Sequence, residues 1–280
     1  MSAADTQAAS KAAAPSPDGA APFLSIRGLT KTYGGHIANN QINLDVYPNE
    51  VLALVGDNGA GKSTFIKMIS GVLRPTLGSI RIDGREVEMN SPKDARAAGI
   101  ETLYQNLALV DVFTVQENVF MGRELQRRIA GLVPSLDHAG MRRRTEALFD
   151  ELGLPKPDMT RPVRSLSGGQ RQAVGIARLL LDADVRLIIM DEPMAALGVE
   201  ESRVVLDFIQ RLKERGYAVL IISHNLDHVF QIADRIAILK NGRMIGAVRR
   251  DEVEHDALVH TIVGGRLPPH LAHRSAEHLS

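Results

Sequence analysis

The sequence predicts an α/β protein built on a parallel sheet, and three observations carry that prediction. Short apolar runs, VLALV at 51–55, VRLIIM at 185–190, AVLII at 218–222 and RIAIL at 235–239, have the look of strands buried on both faces. Helical segments such as ESRVVLDFIQRLKERG separate the later runs, and this alternation requires crossovers between parallel strands. Between about 106 and 164 the pattern is helical instead, so a helical insert interrupts the core.

Residues 1–21, MSAADTQAASKAAAPSPDGAA, are Ala, Ser and Pro with scattered charge and read as a disordered tail. They lack the basic start and apolar stretch of a signal peptide, and no apolar run of the chain approaches the roughly twenty residues of a membrane span. Leu24 and Ile26, then Ile42, Leu44 and Val46, alternate with polar neighbours as half-buried strands do. Asp83-Gly84 within SIRIDGREV and Asn241-Gly242 are hairpin turns. The N-terminal third is therefore β-rich and antiparallel in part. In the insert, Thr114 and Glu117 have capping-box spacing before ENVFMGREL. Met141, Leu148 and Leu152 share a helix face, with Gly153 as its stop. The stretch 265–280 reads as a flexible tail, and its irregularly spaced His270, His273 and His278 as solvated.

Lys plus Arg and Asp plus Glu both number 33, so zero net charge offers no electrostatic footprint for nucleic acid, and none is expected as a partner. The absence of cysteine excludes disulfides, thiolate metal sites and cysteine nucleophiles.

The chemistry begins after VLALV. Gly56-Asp57-Asn58-Gly59-Ala60-Gly61-Lys62-Ser63 is G-x-x-x-x-G-K-S, set between a buried strand and the helical TFIKMIS that opens at Thr64. The glycines allow successive N–H groups to converge on phosphate oxygens; Lys62 reaches the β- and γ-phosphates and Ser63 ligates Mg²⁺. LIIMDEP places Asp191 at a strand end, where it holds a water on Mg²⁺, and Glu192 where it can deprotonate an attacking water. A second Gly-rich helix start, SLSGGQ at 165–170, raises a question. Such a start also attracts phosphate, yet the chain already holds a better cradle about a hundred residues upstream.

The order P-loop, Gln105 in ETLYQN, LSGGQ, MDEP, His224 in IISHN resembles the nucleotide-binding domain of ABC transporters over residues 22–264. The resemblance implies a P-loop NTPase: a RecA-like core (22–105 and 165–264) with an antiparallel β-subdomain, and a helical subdomain at 106–164. It implies an ATPase using ATP and Mg²⁺, and it answers the question of the two helix starts. Two domains face head to tail, so Ser167, Gly168, Gly169 and Gln170 complete the site of a partner's Gly56–Thr64 loop. By position, Tyr33 stacks on adenine, Gln105 senses Mg²⁺ and the attacking water, and His224 bonds the γ-phosphate. His36, His138 and His228 match no motif and are read as structural. The family often has aspartate at the end of the loop after DEP and Thr or Ser near its start; this chain has Gly198 and Met194, which implies altered communication between the two sites.

GDNGAGKST, ETLYQNLAL, AALGVEES and ISHNLDHVFQIADR together resemble the ATPases of bacterial monosaccharide importers of the fructose, ribose and xylose class, and the single-domain layout resembles the fructose-type branch. The implied partners are a second protomer, an integral membrane permease docking by Gln105 and the helical subdomain, and a periplasmic sugar-binding protein. The implied place is the cytoplasmic face of the plasma membrane. An exporter ATPase, an importer of another substrate class and a cytosolic ABC ATPase are the alternatives.

Overall fold

The computed structural model describes residues 20–129, 133–181, 184–195, 197–268 and 271. Apart from Ala20, Ala21, 265–268 and Leu271, the two expected tails lie outside the described residues, as do His270, His273 and His278.

The chain opens as an antiparallel sheet. β1 (Leu24–Tyr33) and β2 (His36–Val46) pair in antiparallel register, with Leu24 opposite Val46 and Ile26 opposite Leu44. β3 (Val51–Val55) then leaves for the second sheet and runs straight into the glycine-rich loop and α1 (Lys62–Ile69). β4 (Leu77–Ile82) and β5 (Arg85–Val87) return to the first sheet, giving the order β2-β1-β4-β5. Their turn is Asp83-Gly84, both residues at positive φ (49° and 76°), as a tight hairpin of this kind demands.

The core sheet completes itself around the insert. α2 (Pro92–Ala97), capped by the Ser91 side chain, leads to β6 (Ile100–Leu103). The insert follows: α3 (Val115–Val119), β7 (Gln126–Ile129), β8 (Val133–Leu136) and α4 (His138–Leu152); α5 (Gly168–Leu179) returns the chain to the core. Then come β9 (Leu187–Asp191), α6 (Val199–Glu214), β10 (Ala218–Ile222), α7 (Leu226–Ile232), β11 (Arg235–Lys240), β12 (Arg243–Arg249) and α8 (His255–Gly264). The sheet order is β12-β11-β3-β10-β9-β6. All pairs are parallel except β11–β12, which the Asn241-Gly242 turn joins as an antiparallel edge.

The apolar runs explain this sheet. Within β3, Val51, Ala53 and Val55 face one core and Leu52 and Leu54 the other; Ile188 and Met190 likewise oppose Leu187 and Ile189 in β9. Each of these residues is at most 1% exposed, so neither face meets water and no polar alternation is possible. One core lies under α5, α6 and the insert; the other lies under α1 and the antiparallel sheet. Burying each Val, Leu or Ile contributes roughly 1.5–3 kcal/mol, which is why the run pattern rather than local propensity decides the fold.

The insert departs from an all-helical reading. α3 stops at Val119, and a two-stranded antiparallel ribbon, β7–β8, stands where ENVFMGREL and the residues after it read as helix. The capping box itself is formed: Glu117 N donates to Thr114 Oγ1 (3.4 Å) and Thr114 N to Glu117 Oε2 (2.8 Å). α4 ends at Gly153 in the left-handed region (φ 63°).

Candidate active site

Three strand ends and one helix start build the site. At the C-terminal end of β3 the chain turns through Gly56 (φ 153°), Gly59 (φ 81°) and Gly61 (φ 103°) into α1. A Cβ on Gly56 would lie 2.1 Å from the Leu239 carbonyl oxygen, and one on Gly61 2.7 Å from that of Ala38, so neither position admits another residue without a shift of the loop. α1 begins with no side-chain cap and no acidic residue in its first turn. Its first N–H groups and the positive end of its dipole therefore stay open to an anion. Lys62 curls back over this loop, its Nζ donating to the carbonyls of Gly56 (2.5 Å) and Asp57 (3.1 Å). Burial pulls the lysine below its ordinary pKa, against the opposing pull of Glu192, Asp57 and Asp191.

β10, next to β3 in the sheet, and β9 beyond it deliver the imidazole and acidic groups. Asp191 closes β9; burial, then the neighbouring Glu192 charge, pushes its carboxyl above the ordinary aspartate value. Glu192 sits at φ 51°, an uncommon backbone for a non-glycine residue, and its N–H donates to the Ile222 carbonyl at the end of β10 (3.0 Å). Its Oε2 is 2.8 Å from His224 Nδ1, with the histidine mostly exposed and the glutamate mostly buried.

These groups share one cleft of about 890 Å³. Its walls include Asn58 to Thr64, Gln105, Asp191, Glu192, His224 and, at one end, Tyr33. Tyr33 is half exposed, with Lys31 Nζ over its ring, 5.4 Å from the centre. Of the sequence-predicted residues outside the Ser167–Gln170 helix start, the structure brings all to this cleft except Gly56 and Asp57, which form the base of the loop rather than the cleft wall.

Ser167, Gly168, Gly169 and Gln170 are not among the walls of that cleft. Ser167 caps α5 in a capping box: Gln170 N donates to Ser167 Oγ (3.3 Å) and Ser167 N to Gln170 Oε1 (3.2 Å). Gly168 lines a separate cavity of about 190 Å³ with Arg171, Gln172 and Leu197, and Gln105 and Glu192 border both cavities.

Sequence reading missed part of the wall. His36, read as structural, lines the cleft with Ile37 and Ala38. The signal was available: His36 pairs directly with Tyr33 across the β1–β2 turn, so a ligand stacked on one lies beside the other. Asn241 and Gly242 also line it, because the β11–β12 turn backs the phosphate loop.

Comparison with known proteins agrees with this geometry. A family model described as ABC transporter matches residues 39–195. The chain is 44% identical over 251 residues to the fructose import ATP-binding protein FrcA of Rhizobium meliloti, covering 89% of this chain and 96% of that protein. It is 42% identical to the ribose import ATP-binding protein RbsA of Roseobacter denitrificans over 87% of this chain but 46% of that protein, so it spans about half of the ribose relative. Among solved structures it resembles the dimeric post-hydrolysis state of the ATP-binding cassette MJ0796 bound to ADP and Pi, with a TM-score of 0.66 and 25% identity over 81% of this chain and 98% of that one. An uncapped phosphate loop, a strand-end Asp-Glu pair and a histidine just past the end of the adjacent strand converge on one cleft in a chain whose relatives are ATP-binding subunits: it belongs to the ABC transporter family, as one of its ATP-hydrolysing cassettes.

Proposed function

We propose that this cassette powers the uptake of a monosaccharide, as the ATPase subunit of an importer of the fructose, ribose and xylose class. The observation that carries the sugar assignment is the match to a fructose import ATP-binding protein over nearly the whole of both chains. Within the cleft, Lys62 and the open N–H groups of the loop bind the phosphates, and Tyr33 carries the adenine. Glu192, oriented by His224, accepts a proton from the attacking water, and Gln105 positions that water.

The donor set fits Mg²⁺. The Ser63 hydroxyl, the Asp191 carboxylate and the Gln105 amide oxygen are all hard oxygen donors. Among the described residues no cluster of three His, Asp or Glu side chains could hold a metal unaided, which suits an ion bound jointly with phosphate. When bound, the ion neutralises charge on the β- and γ-phosphates.

Ser167, Gly168, Gly169 and Gln170 serve the partner's nucleotide. Their absence from the walls of their own chain's cleft supports this reading, as does the dimeric form of a solved relative. We divide the chain into a core at 22–105 and 165–264 and a helical subdomain at 106–164, the latter docking with the Gln105 region on a membrane permease. No helix among the described residues is long and apolar enough to cross a membrane, so transport requires such a permease. The cassette then works at the cytoplasmic face of the plasma membrane, supplied from outside by a sugar-binding protein.

Affinity purification of the tagged protein from detergent-solubilised native membranes tests this. A polytopic permease together with a sugar-binding protein is the expected catch. A permease without a binding protein would move the reading to an exporter, and soluble partners alone to a cytosolic ATPase.

A further inference from the structure

The outer side of the phosphate loop rests on the end of β11. The Leu239 carbonyl fills the space beside Gly56, and Gly242 N donates to the Ala60 carbonyl (2.9 Å). Lys240 stands between these contacts, with its side chain only 20% exposed. Its Nζ points two ways. It donates to the carbonyls of Ile262 (2.7 Å) and Val263, and it lies 3.7 Å from Asp57 Oδ2 in the loop. The aliphatic stem packs against Gly265, where a Cβ would approach Lys240 Cδ to 2.8 Å.

The two carbonyls belong to the last turn of α8, which ends at Gly265 in the left-handed region (φ 69°) and contains no basic residue of its own. Orphan carbonyls at a helix C-terminus carry about half a negative charge and gain from a nearby cation. Here the cation comes from the strand that supports the phosphate loop. One ammonium group thus serves two anionic features, the end of α8 and Asp57. A nucleotide in the loop adds several negative charges on the Asp57 side and none on the α8 side. The balance for a single, poorly solvated cation then moves toward the loop.

We propose that Lys240 couples nucleotide occupancy of the phosphate loop to the docking of the C-terminal helix α8, so that nucleotide binding loosens the last turn of α8. The proposal rests on the ATPase reading of the loop. Leu258 and Thr261 remain buried and hold the body of the helix, so the response is confined to the last turn. α8 thereby becomes the element that reports the state of the site to whatever touches the C-terminal side of the cassette.

Amide hydrogen exchange with and without MgADP tests the coupling on the full chain. In the wild type, MgADP should slow exchange across residues 56–65 and speed it roughly two- to tenfold across residues 262–265. Lys240→Met should exchange fast at 262–265 in both states. Lys240→Gln keeps a donor for the helix carbonyls but not the charge, and serves as well should the Met variant not fold. It should keep residues 262–265 slow and lose the response to nucleotide. Protection of the loop with no change at 262–265 would overturn the coupling and leave the ATPase reading intact. A full response in Lys240→Gln would also overturn it. No protection at 56–65 would overturn the ATPase reading, and the coupling with it.

Discussion

His224 Nδ1 lies 2.8 Å from Glu192 Oε2, and the glutamate reaches that contact from a left-handed backbone. A non-glycine residue held there costs roughly 1–3 kcal/mol unless its surroundings enforce it. Here they do: the Glu192 N–H is tied to β10 at Ile222, and its carbonyl accepts from Ala195 N (3.0 Å). The backbone is thus fixed so that the carboxylate faces the cleft beside Lys62 and Asp191, while His224 orients it from the adjacent strand.

The proposed role of Glu192 as the proton acceptor rests on that arrangement, and Glu192→Gln tests it. The amide keeps the volume and a hydrogen bond to His224 but cannot take a proton. Turnover should fall by about 10²–10⁴-fold, the usual contribution of a positioned base, with nucleotide affinity retained. The variant should collect as an ATP-bound dimer on size exclusion. Wild-type turnover would place the base elsewhere.

The two shifted groups of the cleft set a pH window. In the proposed role Lys62 binds phosphate as a cation, and burial lowers its pKa, so its charge is lost at a lower pH than that of a free lysine. In its proposed role Asp191 holds metal as an anion, and burial, then the Glu192 charge, raises its pKa, so acid protonates it earlier than a free aspartate. Magnesium-dependent nucleotide affinity should therefore fall at both ends, over a narrower range than ordinary side chains would give. A titration by fluorescent nucleotide across pH checks this. Lys62→Ala should weaken affinity over the pH range in which the lysine is charged and remove the alkaline limb.

Gly61 tests the cradle itself. Its φ of 103° suits glycine, and a Cβ would meet Asn39 Nδ2 at 2.6 Å and the Ala38 carbonyl at 2.7 Å. Gly61→Ala must strain the loop or move it, at a cost of roughly 1–3 kcal/mol. Because α1 starts at the next residue, the shift also misaims its open N–H groups. Both the thermal midpoint and nucleotide affinity should drop. A loss of stability with unchanged affinity would mean that the loop N–H groups do not carry the phosphate.

Much of this was legible in the sequence because the informative residues are glycines and apolar runs, which report backbone conformation and burial directly. VLALV, LIIM and AVLII are buried on both faces and allow no other reading. β6 escaped because IETL is four residues long and carries Glu101, a buried carboxylate that reads as surface until Arg96 Nε is seen 2.5 Å away. The β7–β8 ribbon escaped because both strands are short and largely exposed, so burial imposes no period on them. His36 escaped for a different reason: its place in the cleft comes from pairing with Tyr33 across the Gly34-Gly35 turn, a hairpin signal that the sequence carries but that was not used.

Ser167 separates binding from dimerisation. It is exposed, caps α5, and is not among the walls of its own chain's cleft. Ser167→Arg loses the cap, at about 1 kcal/mol, and sets a bulky cation at the helix start. Nucleotide affinity of the monomer should be unchanged while the ATP-dependent dimer of the Glu192→Gln background disappears. Persistence of that dimer would mean that this helix start serves no partner site.

Gly198 stands where the sequence resemblance leads one to expect an aspartate in many relatives, and the structure has room for that side chain. Its backbone (φ −70°, ψ 170°) suits an N-cap, and a Cβ would find only Glu201 Oε2, at 3.9 Å. The N–H of Gly198 already donates to that oxygen (3.3 Å), so Glu201 caps α6 in place of a side chain at 198. Glu201 also packs beside Gly168 and Gly169, which joins the loop after Glu192 to the helix start proposed to serve the partner. Gly198→Asp should therefore change stability by no more than about 0.5 kcal/mol, since aspartate and glycine are both good N-caps. Its added carboxylate would sit next to Glu201 and the glycine pair, where it repels the negative charge of a partner's nucleotide and alters the exchange of signals across the dimer. The Hill slope of ATP turnover should shift while the thermal midpoint stays in place. Identical slopes in the two proteins would show that residue 198 takes no part in communication between the sites.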